Sequence, residues 1–306
     1  MARRGRGPAF SGISQMIAIL GGLGAALGFA GATLLNARAT RLIAAPTLLA
    51  WVMLIGLALT LPVALADRPD ELGADDLALL GVAGLGNVGG LLLAYLALRH
   101  GRAGVVAPII STEGALAAVA AVIAGEALKA GAGLLLGAIA LGVWLAGSSR
   151  DPERPIGRLP PGTTPLVGGE PRAVLLAVGA AVCFGVSLYS TGRVSEDLPI
   201  GWALIPARVI GTVFVAVPMV LAARLRLSRE ALPLVVGSAV CEVAGFASYA
   251  LGSRDGIAIA AVLSSQFGAI AALAAVLLFK ERLARIQVVG IAVIAAGVGA
   301  LSAIQA

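Results

Sequence analysis

Long apolar runs separated by short polar connections make up most of the chain. A bilayer core about 30 Å thick takes ~20 consecutive apolar residues when a segment crosses it as an α-helix. Ten runs come close to that length, and the polar and apolar positions within them do not alternate as in barrel strands. The pattern therefore predicts ten transmembrane helices, at residues 15–36, 45–66, 77–98, 103–124, 131–147, 172–192, 199–223, 231–252, 257–279 and 284–304.

The polar intervals divide the chain into four predicted segments. Residues 1–14 form a basic N-terminal tail, 15–147 a first set of five helices, 148–171 a linker and 172–306 a second set of five helices. The linker is the longest polar interval and is rich in proline. Its prolines include Pro152, Pro155, Pro160, Pro161 and Pro165.

The two five-helix segments carry the same landmarks at a nearly constant separation. A shift of 154 residues pairs Asn87 with Cys241, Tyr95 with Tyr249, Ser111 with Ser265 and Gly114 with Gly268; a shift of 155 pairs Phe29 with Phe184, Glu126 with Glu281 and Gly142 with Gly297. Such a constant shift predicts an internal duplication. Five crossings leave the chain on the opposite side of the membrane, and the polar linker cannot cross back. We therefore expect two inverted repeats around a central cavity, an architecture common among secondary transporters.

Composition narrows the class of protein. The chain is 59% hydrophobic and 12% charged, whereas soluble globular domains carry roughly 25% charged residues. This excludes soluble enzymes, nucleic-acid-binding modules, disordered chains and secreted disulfide scaffolds. The formal net charge of +6 comes from basic residues in the short loops, which is typical of membrane-surface arginines, and we expect no nucleic-acid partner.

Metal, cofactor and enzymatic functions find little support in the sequence. The chain has two cysteines, Cys183 and Cys241, both inside apolar runs, and one histidine, His100. These supply too few ligands for a metal site. There is no phosphate-binding loop and no nucleophile–base pair at a readable spacing. We therefore expect a protein without cofactor that is not an enzyme.

Short motifs close each repeat and indicate a family. Gly125-Glu126-Ala127-Leu128 follows the fourth predicted helix, and Lys280-Glu281-Arg282-Leu283 follows the ninth, with Gln287 and Gly290 after it. Together with the duplication, these motifs resemble the ten-helix EamA branch of the drug/metabolite transporter superfamily, and within it the YddG-type amino-acid exporters. The resemblance implies a multi-pass secondary transporter of the bacterial inner membrane that works by alternating access.

The orientation of the chain in the membrane stays open at this stage. Seven lysines and arginines fall on the side of the termini and fourteen on the other side. The positive-inside rule then favours external termini, whereas the family resemblance implies cytoplasmic ones.

Three ionisable residues lie about ten positions into their apolar runs, hence near the middle of the membrane, where such residues are functional candidates. They are Glu113, Arg208 and Glu242. Arg208 and Glu242 form either a buried ion pair that joins two helices, or a site in which Glu242 orients Arg208 toward a substrate carboxylate. Glu113 either binds an ammonium group or a proton, or is a neutral carboxyl bonded to a backbone carbonyl.

Neutral polar residues at the same depth complete the candidate binding site. They are Asn87, Ser111, Thr112, Ser264, Ser265 and Gln266. Tyr95 and Tyr249 are candidates for gating the cavity mouths or for anchoring at the membrane interface. Pro108 and Pro206 are candidates for helix kinks near the charged positions.

Two transport functions fit these residues. The first is export of amino acids or similar zwitterionic metabolites, with Arg208 on the carboxylate and Glu113 on the ammonium group. The alternative is efflux of lipophilic cations, which needs a carboxylate inside an aromatic cage; Glu113 fits, but the 4% aromatic content and the buried arginine argue against it. The midplane charges disfavour a purely structural subunit. In either case the partners are a small-molecule substrate and the lipid bilayer, and we expect the chain to work as a monomer.

Overall fold

A computed structural model describes residues 13–69, 71–100, 106, 109–126, 131–147 and 169–271, with ten further positions between 285 and 300. The predicted N-terminal tail, nearly all of the linker, Pro108 and the motif around Glu281 lie outside the described residues.

The described chain is helical and contains no strand. Its helices are α1 (Ile13–Leu42), α2 (Ala45–Ala66), α3 (Ala74–His100), α4 (Glu113–Ile123), α5 (Ala132–Gly147), α6 (Gly169–Asp197), α7 (Ile200–Leu221), α8 (Leu232–Ser253) and α9 (Ile257–Ser264). Within α7, one turn from Thr212 to Ala216 is π-helical. Six of these helices (α1, α2, α3, α6, α7 and α8) are long and apolar enough to cross a membrane, and α4, α5 and α9 are shorter apolar helices.

The surface of the bundle is apolar, as a lipid environment requires. Large hydrophobic side chains stand exposed along the helices, among them Leu20, Leu85, Leu175 and Phe214, each more than 60% accessible. A soluble protein rarely leaves so many apolar side chains in water. In lipid these side chains are solvated, while the helices satisfy their own backbone hydrogen bonds.

Two of the predicted helices are interrupted at equivalent positions, which corrects the expectation of unbroken helices at 103–124 and 257–279. Residues 111–112 and 265–266 are turns. At both, the backbone tightens to an i→i+3 hydrogen bond, from Thr112 N–H to Ile109 O (3.2 Å) and from Gln266 N–H to Leu263 O (3.1 Å). These donors are 154 residues apart, so the interruption follows the internal repeat.

Hydroxyl groups explain why these turns are tolerated within an apolar stretch. The Thr112 hydroxyl donates to Ile109 O and the Ser265 hydroxyl to Val262 O, each at 2.7 Å. Side chains that bond backbone carbonyls in this way compete with the regular helical pattern. A hydropathy profile does not detect these side-chain hydrogen bonds, so it could not predict the two helix breaks.

The bundle is assembled from helix pairs that join the two halves of the chain. α1 packs along α8 and α3 along α6, and glycines bring the backbones together. A Cβ added at Gly28 would lie 2.7 Å from Gly245 Cα, and one added at Gly86 would lie 2.8 Å from Cys183 O. Small residues permit such close approach between membrane helices.

A third pair, α4 and α9, crosses next to the two interruptions. A Cβ on Gly114, the second residue of α4, would contact Ala261 O and lie 2.7 Å from Ser265 Cβ. Only a residue without a side chain fits this crossing, because real Cβ atoms do not come so close to backbone.

We predict that Gly114→Ala destabilises the protein by about 1–3 kcal/mol, the usual cost of overpacking. Gly81→Ala on α3 is the matched control, because an added Cβ there meets no described atom within 4 Å and alanine favours a helix. Thermal denaturation of both variants in detergent measures the difference. Equal melting temperatures would show that the α4–α9 crossing is not tight.

Candidate functional site

A cavity of about 80 Å³ lies within the bundle. It is bounded by α1, α3, α4, α6, α8 and the helical residues that follow the turn at 265–266. Its lining residues are Phe29, Ala32, Thr33, Asn36, Leu91, Ala94, Tyr95, Leu98, Ile110, Glu113, Phe184, Leu188, Glu242, Phe246 and Phe267. We call it the aromatic cavity.

Five aromatic rings line this cavity: Phe29, Tyr95, Phe184, Phe246 and Phe267. Phe29 meets Phe246 and Phe267 edge to face, with ring centroids 4.9 Å and 6.4 Å apart. The low aromatic content of the chain as a whole had argued against an aromatic cage. The structure corrects this inference, because the few rings are concentrated in one place.

Two carboxylates face the same cavity, at residues predicted to bind substrate. Glu113 and Glu242 are only 5% and 3% exposed. Among the described residues the Glu113 carboxylate has no hydrogen-bond partner; as the first residue of α4 it lies at the positive end of that helix dipole. Within the described ranges, no group of three His, Cys, Asp or Glu side chains could hold a metal ion.

A hydrogen-bonded chain of neutral groups borders the aromatic cavity and ties three helices together. Ser238 on α8 donates to Asn36 Oδ1 on α1 at 2.6 Å, and Asn36 Nδ2 donates to the Tyr95 hydroxyl on α3 at 3.2 Å. Asn36 was not among the residues predicted from the sequence, because an amide near a helix end resembles an interfacial residue.

The Arg208 guanidinium pairs with Glu242 in the interior. Arg208 Nη1 lies 2.8 Å from Glu242 Oε1, and Arg208 is 1% exposed. The same nitrogen approaches the Met53 sulfur at 3.8 Å, and the guanidinium carbon lies 5.9 Å from the Phe246 ring centroid. Glu242 therefore holds Arg208 with one oxygen, a contact that both the ion-pair alternative and the alternative of an oriented arginine require.

A second, much smaller cavity of about 10 Å³ lies beside Arg208. Polar side chains from three helices line it: Asn87 on α3, Ser187 and Thr191 on α6, and Arg208 on α7. Among the described residues, both polar atoms of the Asn87 amide and the Arg208 Nε have no hydrogen-bond partner. We call it the polar cavity.

The other predicted site residues do not line the aromatic cavity. The Thr112, Ser264 and Ser265 hydroxyls and the Gln266 amide donate to carbonyls of their own helices, at 2.7–3.0 Å. Ser111 is buried at the α4 break.

The two candidate gating residues differ in position. Tyr95 lines the cavity, whereas its repeat mate Tyr249 is fully buried and donates to Leu188 O at 2.8 Å. Pro206 lies inside α7 and packs against Gly84 of α3. Neither tyrosine has the exposed position of an interfacial anchor.

Phe29 and Phe184, which the candidate site did not include, are repeat mates that both line the cavity, from α1 and α6. The sequence did contain a signal for them. At the shift of 155 residues, Phe29 and Phe184 occupy equivalent positions of the two repeats.

Glu126, in the turn after α4, caps a helix of the other half. Its two carboxylate oxygens accept the Ala258 backbone N–H at 3.1 and 3.2 Å, at the start of α9. The first N–H groups of a helix lack partners within the helix and attract negative charge. The glutamate of the motif that carries the family resemblance is thus a structural link between the halves.

Nearby contacts fasten the same end of the bundle, which we call the Glu126 end. Arg254 donates to Ser195 O at 2.7 Å and to Leu198 O at 2.9 Å, and Trp202 Nε1 donates to Ala64 O at 3.0 Å. The ends of α2, α6 and α8 therefore meet here with the starts of α7 and α9.

We predict a pH-dependent contribution of Glu126 to stability. Burial raises the pKa of this carboxyl above its ordinary value of 4.5; Glu196 also raises it, while the α9 backbone N–H groups and Arg193 oppose the shift. The unfolded chain therefore ionises Glu126 at lower pH, and the folded state loses stability as pH rises through the folded-state pKa. The melting temperature of the unmodified protein minus that of Glu126→Gln should therefore decrease as the pH rises above 4.5. A difference that grows with pH would contradict this.

We predict that Glu242→Leu alone destabilises the protein by about 3–5 kcal/mol, because it leaves Arg208 buried without a partner. The double variant Arg208→Leu/Glu242→Leu removes both charges and should recover most of that loss. Thermal denaturation of the two variants and of Arg208→Leu tests the coupling. If the double variant loses as much as the sum of the single variants, the two side chains do not stabilise each other.

Comparison with known proteins agrees with this architecture. The EamA-like transporter family matches the chain twice, over residues 16–148 and 171–303. No curated protein matches the sequence. Among solved structures, one described as the crystal structure of a protein aligns with a TM-score of 0.68 and 16% identity, over 94% of this chain and 95% of that one, a likeness in fold. The chain belongs to the EamA-like transporter family, in the drug/metabolite transporter superfamily, and is a multi-pass membrane transporter.

Proposed function

We propose that this transporter carries lipophilic organic cations. The observation that carries the proposal is the lining of the aromatic cavity, where Glu113 and Glu242 stand among five aromatic rings. A hydrophobic cation placed there meets the Glu113 carboxyl, a Glu242 carboxylate that is shared with Arg208, and several aromatic side chains.

Each part of the lining favours such a cargo over a neutral or anionic one. A cation over an aromatic ring gains about 0.5–1 kcal/mol at exposed sites and ~2 kcal/mol where it is desolvated. Glu113 has no hydrogen-bond partner among the described residues, so a cation bound there breaks no existing bond. The rings supply the apolar contact that a lipophilic cation needs.

Arg208 does not line the aromatic cavity. Its Nη1 is engaged by Glu242, which neutralises the guanidinium charge nearest to the cargo. A substrate carboxylate in the cavity would therefore face the Glu113 carboxyl and a charge-compensated ion pair, with no free cation among the described residues.

Export of amino acids, including transport of the YddG type, is a second candidate. It is favoured by the Arg208 Nε and the Asn87 amide, which have no partner and could bind a carboxylate beside the polar cavity. This function requires the cargo's carboxylate to reach a space of about 10 Å³ in the present conformation.

The proposed architecture is ten helices in two inverted repeats, in a bacterial inner membrane, with the cargo at the cavity between them. Alternating access would arise when one repeat rocks against the other. The family match over both halves and the helix pairs α1–α8 and α3–α6 support this arrangement, because each pair spans the two halves.

We predict that tetraphenylphosphonium raises the melting temperature of the purified protein. A ligand at 100 times its dissociation constant stabilises the folded state by about 2.7 kcal/mol. Glu113→Gln should lose most of this shift, because it removes the partner-free carboxylate. Glu230→Gln, at an exposed position outside the cavity, is the matched control and should keep it.

The same assay separates the two candidate functions. Phenylalanine and leucine, tested alongside tetraphenylphosphonium, should leave the melting temperature unchanged. Stabilisation by the amino acids and not by the cation, with loss of that effect in Asn87→Leu, would overturn the cation proposal in favour of amino-acid transport.

A further inference from the structure

The aromatic and polar cavities lie one after the other along the same helices. On α3, Ala83 to Asn87 line the polar cavity and Leu91 to Leu98 line the aromatic cavity. α3 begins near the Glu126 end, where Leu72 and Leu79 pack with Ile200 and Trp202. The polar cavity is therefore the nearer of the two to the Glu126 end.

Three side chains stand at the boundary between the two cavities, which we call the partition. Glu242 lines the aromatic cavity, Arg208 lines the polar cavity and Phe246 lines both. The ion pair between Arg208 and Glu242 spans the partition at 2.8 Å, and the guanidinium lies beside the Phe246 ring. No other residue lines both cavities.

Several polar atoms of the side chains around this partition have no hydrogen-bond partner among the described residues. They are Glu242 Oε2, Arg208 Nε and both polar atoms of the Asn87 amide. Buried polar groups without partners cost free energy and are uncommon in folded proteins. A volume of about 10 Å³ holds roughly one water molecule, so the polar cavity is a narrow space whose walls are built to bind polar groups.

We propose that the two cavities are halves of one transport path and that the Arg208–Glu242 ion pair with Phe246 is the gate between them. The polar cavity is the hydrated half, and its Asn87, Thr191 and Arg208 side chains contact water or the cargo once the gate opens. The gate is closed in the present conformation. This proposal concerns the path and holds for a cationic or a zwitterionic cargo.

A cationic cargo, the function proposed above, would also act on the gate. Glu242 lines the aromatic cavity; one of its oxygens accepts from Arg208, and the other has no hydrogen-bond partner among the described residues. A cation bound at Glu242 competes with Arg208 for the same carboxylate and weakens the closed ion pair. Cargo binding and gate opening would then share one residue.

Thiol labelling tests the gate. In a background with Cys183→Ala and Cys241→Ala, Thr191→Cys reports on the polar cavity and Thr33→Cys on the aromatic cavity. A charged methanethiosulfonate reagent is applied to each face of proteoliposomes. With the gate intact, we expect one face to label Thr33→Cys much faster than Thr191→Cys.

Removing the gate should open the polar cavity to the same face. We expect Phe246→Ala, and separately Arg208→Leu/Glu242→Leu, to speed labelling of Thr191→Cys from that face by about tenfold, which corresponds to about 1.4 kcal/mol of barrier. The rate for Thr33→Cys should stay the same. Phe246→Leu replaces Phe246→Ala if the smaller side chain prevents folding.

The result that overturns the gate is an unchanged Thr191→Cys rate in folded gate variants, or equal labelling of both reporters with the gate intact. Neither result depends on which cargo the protein carries. A failure of tetraphenylphosphonium binding would refute the cation proposal and leave this labelling experiment unaffected.

Discussion

Close backbone contact between helices of different halves is the constraint on which this structure depends. Lipid gives apolar helices no hydrophobic reason to associate, so packing must come from surfaces that fit closely. Glycines provide that fit between α1 and α8, between α3 and α6, and at Gly114 between α4 and α9. Each pair takes one helix from either half, and the bundle is therefore held together by contacts between repeats.

This packing also explains where an interior space can exist. Phe29 and Phe184 fill the gaps beside the glycine contacts, as Phe29 lies against Gly245 and Phe184 against Gly90. The same rings then line the aromatic cavity. The same two side chains thus take part in helix packing and in the cavity wall, so the shape of the cavity is tied to the stability of the bundle.

Long apolar runs made much of the fold predictable from the sequence. α2 was predicted with its observed bounds, and α8 lies one residue from its predicted range, because hydropathy changes sharply at their ends. The pairing of Arg208 with Glu242 could be anticipated, since unpaired charges at one depth are costly. The breaks at Thr112 and Ser265 could not, because they depend on side-chain bonds to the backbone. The aromatic lining of the cavity could not be predicted either. The overall aromatic content of a chain does not show which positions the fold brings together.

Glu126 joins the short helices α4 and α9 at a second place, away from their crossing. Near one end they cross at Gly114 and Ser265, and at the other end the Glu126 carboxylate is bonded to the Ala258 backbone. Two antiparallel segments joined at both ends resist bending between the two joints, so α4 and α9 form one stiff unit that belongs to both halves. The turns at 111–112 and 265–266, where the regular helical pattern is interrupted, lie at the edge of that unit.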